Sequence, residues 1–303
     1  MKTRHESGDF YTYDGLKLFW QRWVPPQPAE GQSLIIHHGF GEHSDRYKNV
    51  LEAFEGTGIT IYSYDARGHG RSAGKRGHCP GISSYVDDLE LFFEFITGRF
   101  GVRLPVLLGH SMGGFVALAF TLRYSNQWHL SALALSAPAL RVKLNAVMKM
   151  KKAVGSVLAD LAPELTMPAG LDLKYLSHDQ KVIEDYKNDP LVHGVVSASL
   201  AMDLLTGGEQ LIAQGWKLKL PVFMAHGGED GIADPTGTID LFRNCASADR
   251  RLRIYRGLYH EIFNERIEDR EEVLSDLREW ILDHMPVMED LKQTDPEYQM
   301  SPS

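Results

Sequence analysis

The chain has 303 residues, of which 43% are hydrophobic and 24% are charged. This composition is ordinary for a globular protein and supplies enough apolar side chains for a sizeable core. The formal net charge is −8, and no dense run of lysine and arginine occurs, which argues against nucleic acid as a partner.

Apolar runs in the sequence all fall short of the roughly 18 residues that a membrane-spanning helix needs. The first residues are polar and do not resemble a secretory signal, so we expect a cytoplasmic protein. The two cysteines, Cys79 and Cys245, form neither a CxxC pair nor a disulfide framework. We expect both to be packing residues in a reducing compartment.

Short apolar runs bounded by glycine, proline or aspartate recur along the chain, which is typical of strands buried on both faces of a sheet. Seven runs are predicted as strands: residues 16–24, 33–37, 59–64, 105–108, 132–136, 222–226 and 252–255. Apolar residues at helical spacing predict helices near residues 86–96 and 273–281. This alternation predicts an α/β fold with a mainly parallel central sheet and helices on both faces.

The alternation stops between about residues 140 and 216, where the pattern predicts helices and loops but no strand. An amphipathic helix is predicted over residues 144–161, ending near Pro163. An insertion between two strands of such a core would lie over the carboxyl edge of the sheet, where ligands bind. We therefore expect a core formed by residues 1–139 and 217–285, a helical lid over 140–216, and a flexible tail over 286–303.

The sequence GHSMGG, residues 109–114, is the strongest chemical signal in the chain. It follows a predicted strand and precedes an apolar helix, which is the context that a G-x-S-x-G nucleophile turn requires. Such a turn strains the backbone at Ser111 and exposes its hydroxyl at a helix N-terminus, where negative charge is favoured. Ser111 is the predicted nucleophile.

A serine nucleophile needs a base, and the base needs a third group that orients it. In this fold the chain order is serine, then an acid, then histidine. His260 and Asp230 each lie just after a predicted strand downstream of Ser111, and we predict them as base and acid. Glu229 and Asp234 are alternative acids, although Asp234 precedes a proline and would also suit a helix cap.

Two backbone N–H groups are expected to form the oxyanion hole. One belongs to Met112, which follows the nucleophile, and the other to Phe40 in the glycine-containing loop after an early strand. The histidines His37, His38 and His43 surround that loop. Their spacing fits no zinc pattern, so we expect neither a metal nor another cofactor.

Several motifs together resemble the monoacylglycerol lipase and lysophospholipase branch of the α/β-hydrolase superfamily. They are HGFGEHSDRY at residues 38–47, DARGHGRS at 65–72 and GHSMGG at 109–114, with similar stretches at 186–191 and 255–261. The resemblance covers roughly residues 10–284. It implies an α/β-hydrolase fold with the site residues Ser111 as nucleophile, Asp230 as acid, His260 as base, and Phe40 and Met112 as oxyanion donors.

The resemblance also implies the reaction, which is cleavage of a single-chain lipid ester through an acyl-enzyme. A monoacylglycerol is the first candidate substrate, and lysophospholipids and short soluble esters are alternatives. A binding protein that kept the fold without the chemistry is an alternative of a different class. The lid of this family contacts lipid, which would bring Lys149, Lys151 and Lys152 near anionic head groups. The sequence does not predict an oligomeric state.

Overall fold

The computed structural model describes residues 2–143 and 161–293. The strands of these residues are β1 (Arg4–Tyr11), β2 (Lys17–Val24), β3 (Ser33–His37), β4 (Thr60–Tyr64), β5 (Val106–His110), β6 (Ala132–Ser136), β7 (Thr166–Pro168), β8 (Val195–Ser197), β9 (Val222–Gly227) and β10 (Arg250–Tyr255). The α-helices are α1 (Lys48–Ala53), α2 (Ile82–Phe100), α3 (Met112–Tyr124), α4 (Gln180–Asn188), α5 (Ala198–Ala213), α6 (Pro235–Asn244), α7 (Ile267–Asp283) and α8 (Met288–Gln293).

Eight strands form the central sheet, in the order β1-β2-β4-β3-β5-β6-β9-β10. From β4 to β10 every pairing is parallel, and only the pairings β1–β2 and β2–β4 are antiparallel. The strands β3, β4, β5, β6 and β9 are buried along their whole length, which explains their continuous apolar runs. The predicted mainly parallel sheet is confirmed.

Helices cover both faces of this sheet, as predicted. One apolar cluster includes Leu89 of α2 and Val116 of α3, and the opposite cluster includes Val50 of α1 and Trp280 of α7. The helices predicted near residues 86–96 and 273–281 are α2 and α7. The two layers of helices leave the carboxyl edge of the parallel strands open for a site.

The first strand, β1, was not predicted from the sequence. It lies at the edge of the sheet, and only Phe10 of its eight residues is buried. An edge strand with polar residues on both faces lacks the apolar run that marks an interior strand. Its charge pairing is visible only in the structure, where Arg22 of β2 donates to Glu6 at 2.7 Å.

Between β6 and β9 lies the inserted segment, by which we mean the described residues 161–216. The prediction that this region contains no strand is wrong, because β7 and β8 pair as a small antiparallel sheet. Each has three residues, which is too short to produce a recognisable alternation. The helix predicted over residues 144–161, with its three lysines, lies outside the described residues apart from Leu161.

The predicted tail from residue 286 contains a further element, since α8 forms over Met288–Gln293. Leu291 of this helix is buried against Gly31, which lies just before β3. A six-residue helix carries too little periodicity to be predicted from one buried leucine.

In residues 2–143 and 161–293, no helix combines the length and the apolar character that crossing a bilayer would require.

Candidate active site

Ser111 lies in the sharp turn that joins β5 to α3. Its backbone has φ 55° and ψ −120°, a strained conformation for a non-glycine residue. The Ser111 N–H donates to the Ser136 carbonyl at 2.9 Å, which fixes the turn against the neighbouring strand β6. A side chain at Gly113 would collide with the carbonyl of His37, so the turn requires glycine there. The turn predicted from the motif is therefore present.

The three residues predicted as nucleophile, base and acid meet at the carboxyl ends of β5, β10 and β9. Ser111 Oγ lies 2.8 Å from His260 Nε2. On the other side of the ring, His260 Nδ1 lies 2.6 Å from Asp230 Oδ2. Both distances are those of hydrogen bonds, so a hydroxyl, an imidazole and a carboxylate stand in one connected row.

Asp230 is completely buried and all of its bonding capacity is used. Its Oδ1 accepts from the N–H groups of Ile232 at 2.7 Å and Ala233 at 2.9 Å. Its Oδ2 contacts His226 Nε2 at 3.0 Å as well as His260. Burial would raise the pKa of Asp230, but His260 and the hydrogen bond from His226 outweigh burial and lower the pKa. The carboxylate is therefore held ionised.

The alternative acids have other positions. Asp234 is the N-cap of α6 and accepts from the Thr236 N–H at 3.0 Å, as its place before a proline suggested. Glu229 is exposed on the loop after β9. Among these three carboxylates, only Asp230 contacts His260.

His260 has the electrostatic setting of a general base. Burial lowers the pKa of its ring, but the charge of Asp230 and the hydrogen bond to it outweigh burial and raise the pKa. Because Asp230 accepts from Nδ1, the neutral ring leaves Nε2 free to take the proton of Ser111. The arrangement can activate a hydroxyl nucleophile.

The two residues predicted as oxyanion donors border the same pocket as Ser111. Met112 is the first residue of α3 and is buried. Phe40 lies in the loop after β3, and both residues line the pocket above the serine. The Gly39 N–H of this loop donates to Glu42 Oε1 at 2.6 Å. A buried carboxylate thus holds the loop beside Ser111.

A buried ion network, which sequence reasoning did not assign, lies beside this loop. Arg46 donates to both oxygens of Glu261, one of them at 2.9 Å, and to Glu42 at 3.0 Å. Burial would raise the pKa of Glu42, but the charge of Arg46 outweighs it and lowers the pKa. The signal available was the presence of all three charged residues inside the motifs around Phe40 and His260.

His226 is a second residue that was not predicted. It occupies the end of β9 and is completely buried, with Nδ1 2.7 Å from Thr238 Oγ1 and Nε2 facing Asp230. Nε2 also lies 3.4 Å from the Ala233 carbonyl, so both of its neighbours are acceptors and Nε2 must carry a proton. The sequence shows that His226 stands at the end of a predicted strand, but it does not show that Thr238 on α6 is its partner.

Each of the three histidines around the loop after β3 has at least one ring nitrogen within hydrogen-bond distance of a protein group. His37 Nδ1 faces the His38 carbonyl at 3.0 Å, and His38 Nδ1 faces the Gly39 carbonyl at 2.7 Å. His43 Nε2 lies 2.8 Å from Asp189. Within the part of the chain that the structure describes, no group of three or more His, Cys, Asp or Glu is arranged to hold a metal ion.

The pocket over Ser111 has a cavity volume of about 80 Å³ and opens to solvent. Most of its wall is apolar, with Phe40, Met112, Leu171, Leu176, Leu204 and Ile232 among the lining residues. The inserted segment supplies Leu171, Leu176 and Leu204 of these. Glu42 and Glu261 also line the pocket, whereas none of its described lining residues is a lysine or an arginine.

Comparison with known proteins places these features in a family. The family model described as serine aminopeptidase, S33, matches residues 29–267. A monoacylglycerol lipase of Mycolicibacterium smegmatis is 34% identical over 93% of this chain and 99% of its own. The phospholipase YtpA of Bacillus subtilis is 32% identical over 84% of this chain and 96% of its own.

Solved structures of similar fold lead to the same family. The monoacylglycerol lipase of Paleococcus ferrophilus has a TM-score of 0.77 at 29% identity, covering 94% of this chain and all of that one. A monoglyceride lipase variant from Saccharomyces cerevisiae, with a TM-score of 0.82 at 24% identity over 95% of this chain and 97% of its own, shares the fold. The chain is therefore a serine hydrolase of the S33 family, in the monoacylglycerol lipase branch of the α/β-hydrolase superfamily.

Proposed function

We propose that this protein hydrolyses carboxylic esters of a single fatty chain, with a monoacylglycerol as substrate and a fatty acid and glycerol as products. The observation that carries the proposal is the continuous hydrogen-bonded row from Ser111 through His260 to Asp230. Relatives named monoacylglycerol lipase support the substrate class.

The proposed mechanism has two similar halves. His260 Nε2 accepts the proton of Ser111 as Oγ attacks the ester carbonyl carbon, and the N–H groups of Phe40 and Met112 bind the resulting oxyanion. His260 then gives the proton to the departing alcohol, leaving an acyl group on Ser111. In the second half, water attacks the acyl group in the same way and releases the fatty acid.

The shape of the pocket supports a lipid acyl chain. We propose that residues 140–216 act as a cap, because Leu171, Leu176 and Leu204 of the inserted segment complete the apolar wall. Each methylene buried against such a wall contributes about 0.8 kcal/mol. An acyl chain therefore gains binding energy for each methylene that lies against this wall.

The charges of the pocket favour a neutral leaving group. Glu42 and Glu261 line the pocket, and the one guanidinium between them, Arg46, is already bonded to both. A phosphate brought to this place would meet net negative charge and no available cation among the described lining residues. Glycerol carries no charge, so this wall favours a monoacylglycerol over a lysophospholipid. The name of the phospholipase YtpA keeps lysophospholipase as the alternative to test.

The test compares turnover of a monoacylglycerol, lysophosphatidylcholine and a short nitrophenyl ester by the wild-type protein and by Ser111→Ala. We expect the monoacylglycerol to be the best substrate, and the variant to lose at least about 10³-fold in kcat. A fluorophosphonate probe should label the wild type and not the variant. A folded wild-type protein that takes no label would favour a non-catalytic binding protein, and preferential turnover of lysophosphatidylcholine would favour the phospholipase.

A further inference from the structure

Glu265 lies in the loop between His260 and α7, five residues after His260, and its side chain is completely buried. Its Oε1 accepts from the Tyr259 N–H at 2.8 Å and contacts His178 Nδ1 at 3.0 Å. Its Oε2 accepts from the His178 N–H at 2.8 Å and from Ser177 Oγ at 3.3 Å. One carboxylate therefore joins the loop that carries His260 to the inserted segment.

Backbone hydrogen bonds join the same two stretches of chain. The His260 N–H donates to the Tyr175 carbonyl at 3.0 Å, and the Glu261 N–H donates to the Leu176 carbonyl at 2.8 Å. The ring of His178, in the inserted segment, stacks on the ring of Tyr259 with 3.7 Å between the ring centroids. His260 is thus held through its own N–H and through the residues on either side of it.

Tyr175 of the inserted segment also contacts the acid loop, by which we mean the loop after β9 that carries Asp230. A side chain at Gly231, the residue after Asp230, would collide with the ring of Tyr175. Tyr175 therefore packs directly on the acid loop while its carbonyl binds the N–H of His260. A displacement of this stretch would move both partners of the hydrogen bond between His260 and Asp230.

We propose that Glu265 is a positioning residue for His260, and that with residues 175–178 it forms a brace that sets the approach of His260 to Ser111 and Asp230. The inference rests on the proposed function, in which His260 is the base. It gives the inserted segment a part in the chemical step, in addition to its place in the pocket wall.

The geometry explains why a carboxylate is required. Both oxygens of Glu265 face donors, on Tyr259 on one side and on Ser177 and His178 on the other. A glutamine has one acceptor oxygen, so in either orientation its amide N–H would point at a donor and break half of the bridge. Misplacement of a reacting group by about 1 Å can cost about 10²-fold in rate.

The main experiment compares Glu265→Gln with a matched control, Asp276→Asn. Asp276 is a carboxylate of α7, the helix that follows Glu265, and it accepts a hydrogen bond from Tyr255 Oη at 2.9 Å without contacting the brace. The substrate is the short nitrophenyl ester, and kcat is normalised by titrating active sites with the fluorophosphonate, so that misfolded protein does not count. We expect kcat of Glu265→Gln to fall about 10-fold to 100-fold with KM little changed, and kcat of the control to stay at the wild-type level.

Two further variants protect the test against a folding defect. His178→Ala removes the ring contact of the brace but keeps the backbone donor, and we expect a smaller fall in kcat. Ser111→Ala reports on the proposed function itself. One outcome would refute the brace and leave the proposed function standing. In it, the wild type is active, Ser111→Ala is inactive, and Glu265→Gln has the kcat of the wild type. If Glu265→Gln and Asp276→Asn lose kcat equally, Glu265 has only a structural role and the inference is also wrong.

Discussion

The carboxyl edge of the sheet and the inserted segment contribute to the same site in different ways. At the sheet edge, Ser111 directly follows β5, and Asp230 and His260 lie in the loops after β9 and β10, so the ends of parallel strands bring the three side chains together. The inserted segment has no such frame. It is held by apolar packing of residues such as Leu200 and Leu211 in the core cluster. Polar contacts add to this, such as those of Asp189 with His43 and of His178 with Glu265.

The sheet edge and the inserted segment therefore contribute differently to the site. The strands decide which side chains meet, because neighbouring parallel strands end at one edge. The inserted segment bears on how well they are aligned, because its Tyr175 carbonyl binds the N–H of His260. Changes at the sheet edge should therefore abolish the reaction, and changes at the contacts of the inserted segment should weaken it by degrees.

The largest effect is expected at the sheet edge, for Asp230→Asn. The amide can hold His260 in the wrong tautomer, and the loss in kcat should be about 10⁴-fold, as for the corresponding change in other triads. Asp234→Ala is the neighbouring control. It should keep normal kcat and lose about 1 kcal/mol of stability, because it removes only a helix cap. A loss below tenfold for Asp230→Asn in steady-state ester hydrolysis would exclude Asp230 as the acid.

Next in size is Arg46→Met, in the ion network that borders both regions. Removing the guanidinium leaves Glu42 and Glu261 buried and unpaired, which should lower the free energy of unfolding by about 3–5 kcal/mol. Urea denaturation measures this loss, and adding Glu42→Gln and Glu261→Gln to the variant should restore part of it. Lys181→Met, which removes an exposed pair with Asp185, should change stability by less than about 0.5 kcal/mol.

The dependence of the rate on pH sharpens the comparison further. His260 acts only when neutral, and Asp230 raises its pKa above the ordinary 6.5. As pH falls below this raised pKa, kcat/KM should drop about tenfold per pH unit. Asp230→Asn should move this limb to lower pH, since the charge that raises the pKa is gone, whereas Asp189→Ala in the inserted segment should leave the limb in place. A wild-type limb centred well below pH 6.5 would contradict the assignment of the base.

The smallest effect is expected for Asp189→Ala, at the contact between the inserted segment and the loop after β3. The contact of Asp189 Oδ2 with His43 Nε2 is 2.8 Å long and partly buried, and its loss should cost about 1–2 kcal/mol. We expect a decrease in kcat/KM of severalfold for the monoacylglycerol, with Glu184→Gln on the exposed face of α4 as an unaffected control. An effect as large as that of Asp230→Asn would remove the distinction between the two regions.

The same division explains what could be predicted from the sequence. The seven predicted strands of the central sheet and the positions of Ser111, Asp230 and His260 follow from local signals, namely short apolar runs and the loops that come after them. The preference for Asp230 over Asp234 as the predicted acid also came from a local signal, because Asp234 precedes the proline that begins α6. These features depend on short-range patterns that tertiary contacts reinforce.

The rest depended on partners far away in the chain. His226 is explained by Thr238 on α6, Arg46 by Glu261, and Glu265 by His178, and no local pattern joins the members of such pairs. The strands β1, β7 and β8 were missed for a related reason. A polar edge strand and a three-residue pair form because a neighbouring chain offers hydrogen bonds, and a single sequence does not contain that information.

One property of the inserted segment bears on engineering. The chain leaves β6 at the carboxyl edge of the sheet and enters the neighbouring parallel strand β9 at the amino edge, so the intervening stretch is one continuous excursion between two paired strands. It could be exchanged for that of a relative as a module, to alter the lipid that is accepted. The groups that meet the N–H of His260 and Glu261 are main-chain carbonyls, which any amino acid supplies. At these two positions a graft would therefore have to reproduce the path of the backbone, whereas at Ser177 and His178 it would also have to keep the side chains that meet Glu265.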